Sequence, residues 1–158
     1  MCIRDRTRAD QIVAQQRRCS ANTLQLCDRV SSAVRVMLRR QLPGIRLVQV
    51  VHVGGRESID EALEVQETAD AILLDSGNQA LAVKELGGTG RTHDWSVSAA
   101  LREQIRVPVF LAGGLTPVNV RAAIAAVRPF AVDVCSGVRT DGRLDPVKLA
   151  AFAAAAKE

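Results

Sequence analysis

The chain has 158 residues, 47% apolar and 24% charged, the length and balance of one globular domain that can bury one core. Only 3% are aromatic and the net charge of +4 is spread over scattered arginines, which excludes a stacking platform or basic block for nucleic acid but suits a small anionic ligand. No apolar run nears the ~18 residues of a membrane span, no leader-like segment precedes a small-residue cleavage site, and Cys2, Cys19, Cys27 and Cys135 lack metal-ligand spacing, so a cytoplasmic chain with reduced thiols is expected.

Residues 1–6, Met-Cys-Ile-Arg-Asp-Arg, match no element that follows and are expected to be a non-native N-terminal scar, leaving 7–158 as the folded unit. Residues 10–18 predict a short helix of weak amphipathicity and 23–27 a brief strand. Residues 31–41 predict a helix with Val34, Met37, Leu38 and Leu42 inward, stopped by Pro43-Gly44. The β-branched run 45–53 predicts a buried strand. Gly54-Gly55 turns it into a helix from Glu57 to about Thr68, with Ile59, Ala62 and Leu63 inward, and 71–74 predicts the next strand with Asp75 at its carboxyl end.

Residues 76–94 have no clear periodicity. A connection of that length in a small domain predicts a binding or lid loop. A helix over 96–106, with Val97, Leu101 and Ile105 on one stripe, leads to a strand over 107–112 ended by Gly113-Gly114. Thr116 is the expected N-cap of the following helix, with Pro117 at its first position and Val120, Ile124 and Val127 at helical spacing. A strand over 130–135 closes at Ser136-Gly137, and Asp145-Pro146 opens a terminal alanine-rich helix ending near Lys157. About five strands alternating with helices, without a tandem hairpin signal, predict a parallel α/β sheet.

Two glycine turns in successive β/α units carry a functional expectation. Glycines let main-chain N–H groups approach an anion, and a helix N-terminus adds roughly half a positive charge. In a (β/α)8 barrel the loops after the last two strands are a frequent phosphate site.

The motifs Ala-Ile-Leu-Leu-Asp-Ser (71–76), Gly-Gly-Thr-Gly-Arg-Thr-His-Asp-Trp (87–95), Leu-Ala-Gly-Gly-Leu-Thr-Pro-Val-Asn-Val (111–120) and Val-Asp-Val-Cys-Ser-Gly-Val (132–138) stand in one order. From about Leu24 onward the chain resembles the phosphoribosylanthranilate isomerase family of tryptophan biosynthesis, specifically its C-terminal portion from the fourth barrel strand. The resemblance implies a TIM-barrel type fold, here an incomplete barrel of about five β/α units. It also implies an Amadori isomerisation of N-(5-phosphoribosyl)anthranilate without metal or cofactor. By resemblance Asp75 is the general acid, and a carboxyl shielded at a barrel mouth can keep its proton. Gly113, Gly114, Ser136 and Gly137 hold the phosphate, Asp133 faces the substrate or a catalytic neighbour, and Gly88 and Gly90 belong to a closing loop.

Two family features have no counterpart here: a first-strand Lys-Ile-Cys-Gly, whose cysteine is the general base, and an arginine for the anthranilate carboxylate. Cys2 lacks that motif's neighbours, and Gln25-Leu26-Cys27-Asp28 stands where the family commonly has Gln-Leu-His-Gly. The expectation is an N-terminally truncated, inactive chain, the alternative being a non-catalytic or divergent sugar-phosphate-binding half-barrel. Its partner is a phosphorylated sugar, with neither nucleic acid nor membrane, and exposed barrel edges favour self-association. Of the two histidines, His93 is expected to be a solvated loop residue, and His52 stands at a strand end.

Overall fold

The computed structural model describes residues 1–3, 6–76 and 92–157. Six strands form one parallel sheet in sequential order: β1 (Cys2–Ile3), β2 (Thr23–Leu26), β3 (Arg46–His52), β4 (Ala71–Asp75), β5 (Val109–Leu111) and β6 (Ala131–Val132). The helices between and after them are α1 (Ala9–Cys19), α2 (Ser32–Gln41), α3 (Glu57–Val65), α4 (Trp95–Gln104), α5 (Val120–Val127) and α6 (Pro146–Ala155).

Strand order without reversal, combined with the right-handed crossover that β-α-β units adopt, puts every helix on the same side of the sheet. The register agrees. Leu47 pairs with Leu24, Val51 with Leu74, and Leu74 with Leu111. These side chains lie in two buried clusters that also take Ile12 of α1, Leu38 of α2, Ala62 of α3, Leu101 of α4, Val127 of α5 and Phe152 of α6. Each fully buried leucine contributes roughly 1.5–3 kcal/mol. The opposite side of the strands carries a smaller cluster, Cys27, Val50, Leu73 and Ala112, with Val48 and Phe110 against it. Helices on one face and a narrower apolar lining on the other make this a segment of barrel wall, not a doubly wound sheet.

Three expectations need correction. Within the segment expected to match no element, Cys2–Ile3 pairs with β2: the Gln25 and Cys27 amides donate to Met1 O and Ile3 O, both at 2.8 Å, and Ile3 is buried. An apolar pair at the end of the chain is enough to cover an open sheet edge, so the sheet has six strands where five were expected. A hairpin also exists, β7 (Arg139–Thr140) against β8 (Arg143–Leu144). Its two-residue turn is Asp141-Gly142, a strong hairpin dipeptide whose flanks are too short to show alternation.

The third correction concerns α2, whose Met37 is 47% exposed while Arg35 is 1% exposed. The Arg35 guanidinium reaches three partners: Nε donates to Thr68 Oγ1 at 2.6 Å, Nη1 donates to Val30 O, and Nη2 lies 3.7 Å from Glu64. An arginine stem packs like an apolar chain when its head finds acceptors, which hydrophobicity alone does not reveal.

Candidate active site

Asp75, Gly113 and Asp133 close three neighbouring parallel strands, β4, β5 and β6, at their carboxyl ends. A cavity of about 540 Å³, including its open mouth, lies there, with Asp75, Gly113, Gly114, Asp133 and Ser136 in its wall. Gln25, Cys27, Val50 and Leu73 complete the floor from the inner face of the sheet. Gly137 lines an adjoining groove instead, which shares Gly114 and Ser136 with the cavity and has Thr116 and Lys148 on its far side. Gly88 and Gly90 fall within 77–91, outside the described residues.

Glycine contacts hold these strand ends together. Gly113 has φ +85°, and a Cβ built on it would lie 2.7 Å from Ser76 N and 2.9 Å from Ser76 Oγ. The β5 turn therefore rests directly on the residue after Asp75. That same Ser76 amide donates to Asp75 Oδ1 at 2.8 Å, fixing the carboxylate. A Cβ on Gly137 would sit 1.9 Å from Leu115 O, so the β6 turn lies against the β5 turn with no room for a side chain. The order of contact is Asp75, Ser76, Gly113, Leu115, Gly137.

Asn119 pins the middle turn. Its Oδ1 accepts from Thr116 N at 2.8 Å and its Nδ2 donates to Gly114 O at 3.0 Å. The expected Thr116 N-cap is thus corrected: Thr116 O accepts from Asn119 N and Val120 N in a turn that precedes α5, which starts at Val120. An asparagine three residues after Thr116 was the available signal. After β6, Ser136–Val138 form a 3₁₀ turn, whose first N–H groups have no partner within the turn itself. Asp133 is exposed toward the cavity, and its amide donates to Leu111 O at 2.8 Å.

Gln49, buried within the β-branched run of β3, donates through Nε2 to Leu26 O and Asp28 O, both at 2.9 Å. This holds the end of β2 around Cys27. His52, paired in register with Asp75, places Nε2 3.1 Å from Cys27 O. His93 is half-buried, not solvated: Nε2 lies 2.7 Å from Oγ of the fully buried Ser98, and Nδ1 is buried with no partner among the described residues. Burial holds the His93 imidazolium below its usual range, against the opposing pull of the Asp75 and Asp94 charges. Among the described residues no cluster of three or more His, Cys, Asp or Glu side chains forms a metal site, and no helix is long and apolar enough to cross a membrane.

Two predictions follow from this geometry. Gly137→Ala forces a methyl into Leu115 O and is expected to cost about 3 kcal/mol or more, read as a lowered urea midpoint; a midpoint equal to the parent's contradicts the contact. For His93, a folded-state pKa below the ordinary 6.5 means the unfolded chain binds the proton first as pH falls. Its contribution is fully present above about pH 6.5 and is lost as pH drops toward the lower folded value. The melting temperature is expected to fall between about pH 7.5 and 5.5, and His93→Gln to flatten that fall; an unchanged slope in the variant contradicts the assignment.

The family model described as N-(5'phosphoribosyl)anthranilate (PRA) isomerase matches residues 4–155. The chain is 47% identical over 112 residues to N-(5'-phosphoribosyl)anthranilate isomerase of Methanocella arvoryzae, covering 71% of this chain and 50% of that one. The crystal structure of phosphoribosyl anthranilate isomerase from Thermotoga maritima superposes with TM-score 0.80 at 31% identity, over 99% of this chain and 71% of that one. A second such isomerase, solved in complex with reduced 1-(o-carboxyphenylamino)-1-deoxyribulose 5-phosphate, gives TM-score 0.77 at 29% identity, over 99% and 69%. The chain spans about half the length of the curated relatives it matches. The family match begins well before Leu24, and the restriction to a C-terminal portion is not borne out. With its TIM-barrel type fold, the chain belongs to the N-(5'-phosphoribosyl)anthranilate isomerase family.

Proposed function

We propose that the chain carries the phosphate grip and the general acid of the Amadori isomerisation of N-(5'-phosphoribosyl)anthranilate. The observation that supports this reading is one cavity walled by Asp75, Gly113, Gly114 and Ser136, with Gly137 in the groove that adjoins it. The substrate phosphate lies across Gly113-Gly114 and Ser136-Gly137, where main-chain amides meet an anion with no side chain between. Asp75, oriented by the Ser76 amide, gives its proton to the furanose ring oxygen as the ring opens. The opened Schiff base then loses its C2 proton to a base and becomes the enolamine that tautomerises to the aminoketose. Asp133 binds substrate hydroxyls beside the phosphate.

The base of this family is the cysteine of Lys-Ile-Cys-Gly, a motif these residues lack. The chain therefore binds the phosphorylated sugar in the cytoplasm but turns over only beside a segment that supplies the base. The edges β1 and β6 of the sheet are where such a segment, or a second copy, adds its strands.

The test is substrate turnover by the chain alone and after addition of a family N-terminal segment bearing Lys-Ile-Cys-Gly. The expected result is none alone, measurable turnover when restored, and at least a hundredfold loss on Asp75→Asn in the restored protein, about what a general acid contributes. Turnover by the chain alone overturns the need for that base. Full activity in Asp75→Asn overturns the acid. Tight phosphate-sugar binding with no turnover after restoration favours a divergent sugar-phosphate-binding module, the reading that Cys27 in the cavity floor supports.

A further inference from the structure

All four cysteines are unbridged, and two of them meet: Cys2 Sγ lies 2.9 Å from Cys27 Sγ. The contact joins the edge strand β1 to the end of β2 across one ladder, because both side chains point to the inner face of the sheet. Two thiolates sharing a tetrahedral zinc at about 2.3 Å each stand about 3.8 Å apart. The pair here is closer than that, and among the described residues no group of three or more metal-binding side chains forms a site. A bonded pair sits at about 2.05 Å, so the sulfurs need to close by under 1 Å. The partner that has to move belongs to a two-residue edge strand.

The two sulfurs differ in access. Cys2 is exposed, whereas Cys27 is buried and belongs to the floor of the cavity that holds Asp75. We propose that Cys2 and Cys27 form an oxidation site whose substrate is a small-molecule disulfide, with Cys2 reacting first and Cys27 resolving. The Cys2 thiolate attacks one sulfur of the small disulfide, forming a mixed disulfide and releasing one thiolate. Cys27, its proton passed to that released thiolate, attacks Cys2 Sγ and expels the second. A Cys2–Cys27 bond has formed, the small disulfide's bond has broken, and it leaves as two thiols carrying the two protons and two electrons. The crosslink fastens β1 to the sheet and removes a thiol from the cavity floor.

The probe is oxidised glutathione, followed by peptide mass mapping without reductant. Cys19 and Cys27 fall in one tryptic peptide, so the mapping uses Cys19→Ser. The expected product joins the peptide holding Cys2 to the peptide holding Cys27, with loss of two hydrogens and no retained glutathione. Cys2→Ser, a change at an exposed site that leaves the fold in place, is expected to abolish it. Hydrogen exchange gives an independent reading: the Cys27 amide, bonded to Ile3 O at 2.8 Å, is expected to exchange more slowly after oxidation. A stable glutathione adduct on Cys2, a bridge to Cys135, or unchanged exchange at the Cys27 amide in fully oxidised protein overturns the proposal.

Discussion

Backbone contact between successive strand ends, open only because two positions lack a side chain, organises this molecule's functional end. Gly113 lets the β5 turn rest on Ser76, and Gly137 lets the β6 turn rest on Leu115 O. A methyl group at Gly137, 1.9 Å from Leu115 O, would push neighbouring loops apart by about an ångström or more, one at Gly113 would press on Ser76 N at 2.7 Å, and close-packed interiors do not absorb such contacts. The proposed acid and the proposed anion-binding turns are therefore one mechanical unit. Ser76 touches both sides of it, donating to the Asp75 carboxylate while packed under Gly113.

Topology brings those ends together. Sequential parallel strands with all helices on one face give a curved wall, and every carboxyl strand end opens on the same rim. Alternation along the strands then sorts the side chains. Leu47, Val51, Ile72, Leu74 and Leu111 go under the helices, and Val50, Leu73, Gln25 and Asp75 go to the inner face. One residue of register slip would exchange the two sets and turn Asp75 into the helix layer, so the apolar pattern that stabilises the sheet also aims the carboxyl.

Much of this was readable from the chain. The helix and strand alternation, the strand end at Asp75, the two glycine turns and the Asp145 cap of α6 all have local causes, and the structure holds them where expected. What escaped rests on side-chain contacts that composition and periodicity do not show. Arg35 is buried because Glu64 and Thr68, from α3 and the turn after it, and Val30, just before α2, converge on it. His93 is half-buried because Ser98 meets it from α4. Cys2–Ile3 looks like nothing in isolation and becomes a strand because β2 offers it an edge. The grip of Asn119 on Gly114 and Thr116 was visible only as a turn-forming residue near a glycine pair.

The central claim is that one rim site, made by three adjacent strand ends, takes the phosphate of a sugar phosphate. Amide chemical-shift mapping during titration with ribose 5-phosphate tests it most directly. The account predicts the largest saturable changes at Gly113, Gly114, Ser136 and Gly137, with a smaller change at Ser76 transmitted through Gly113. Saturable changes confined to other residues, or to one glycine turn without the other, would contradict it.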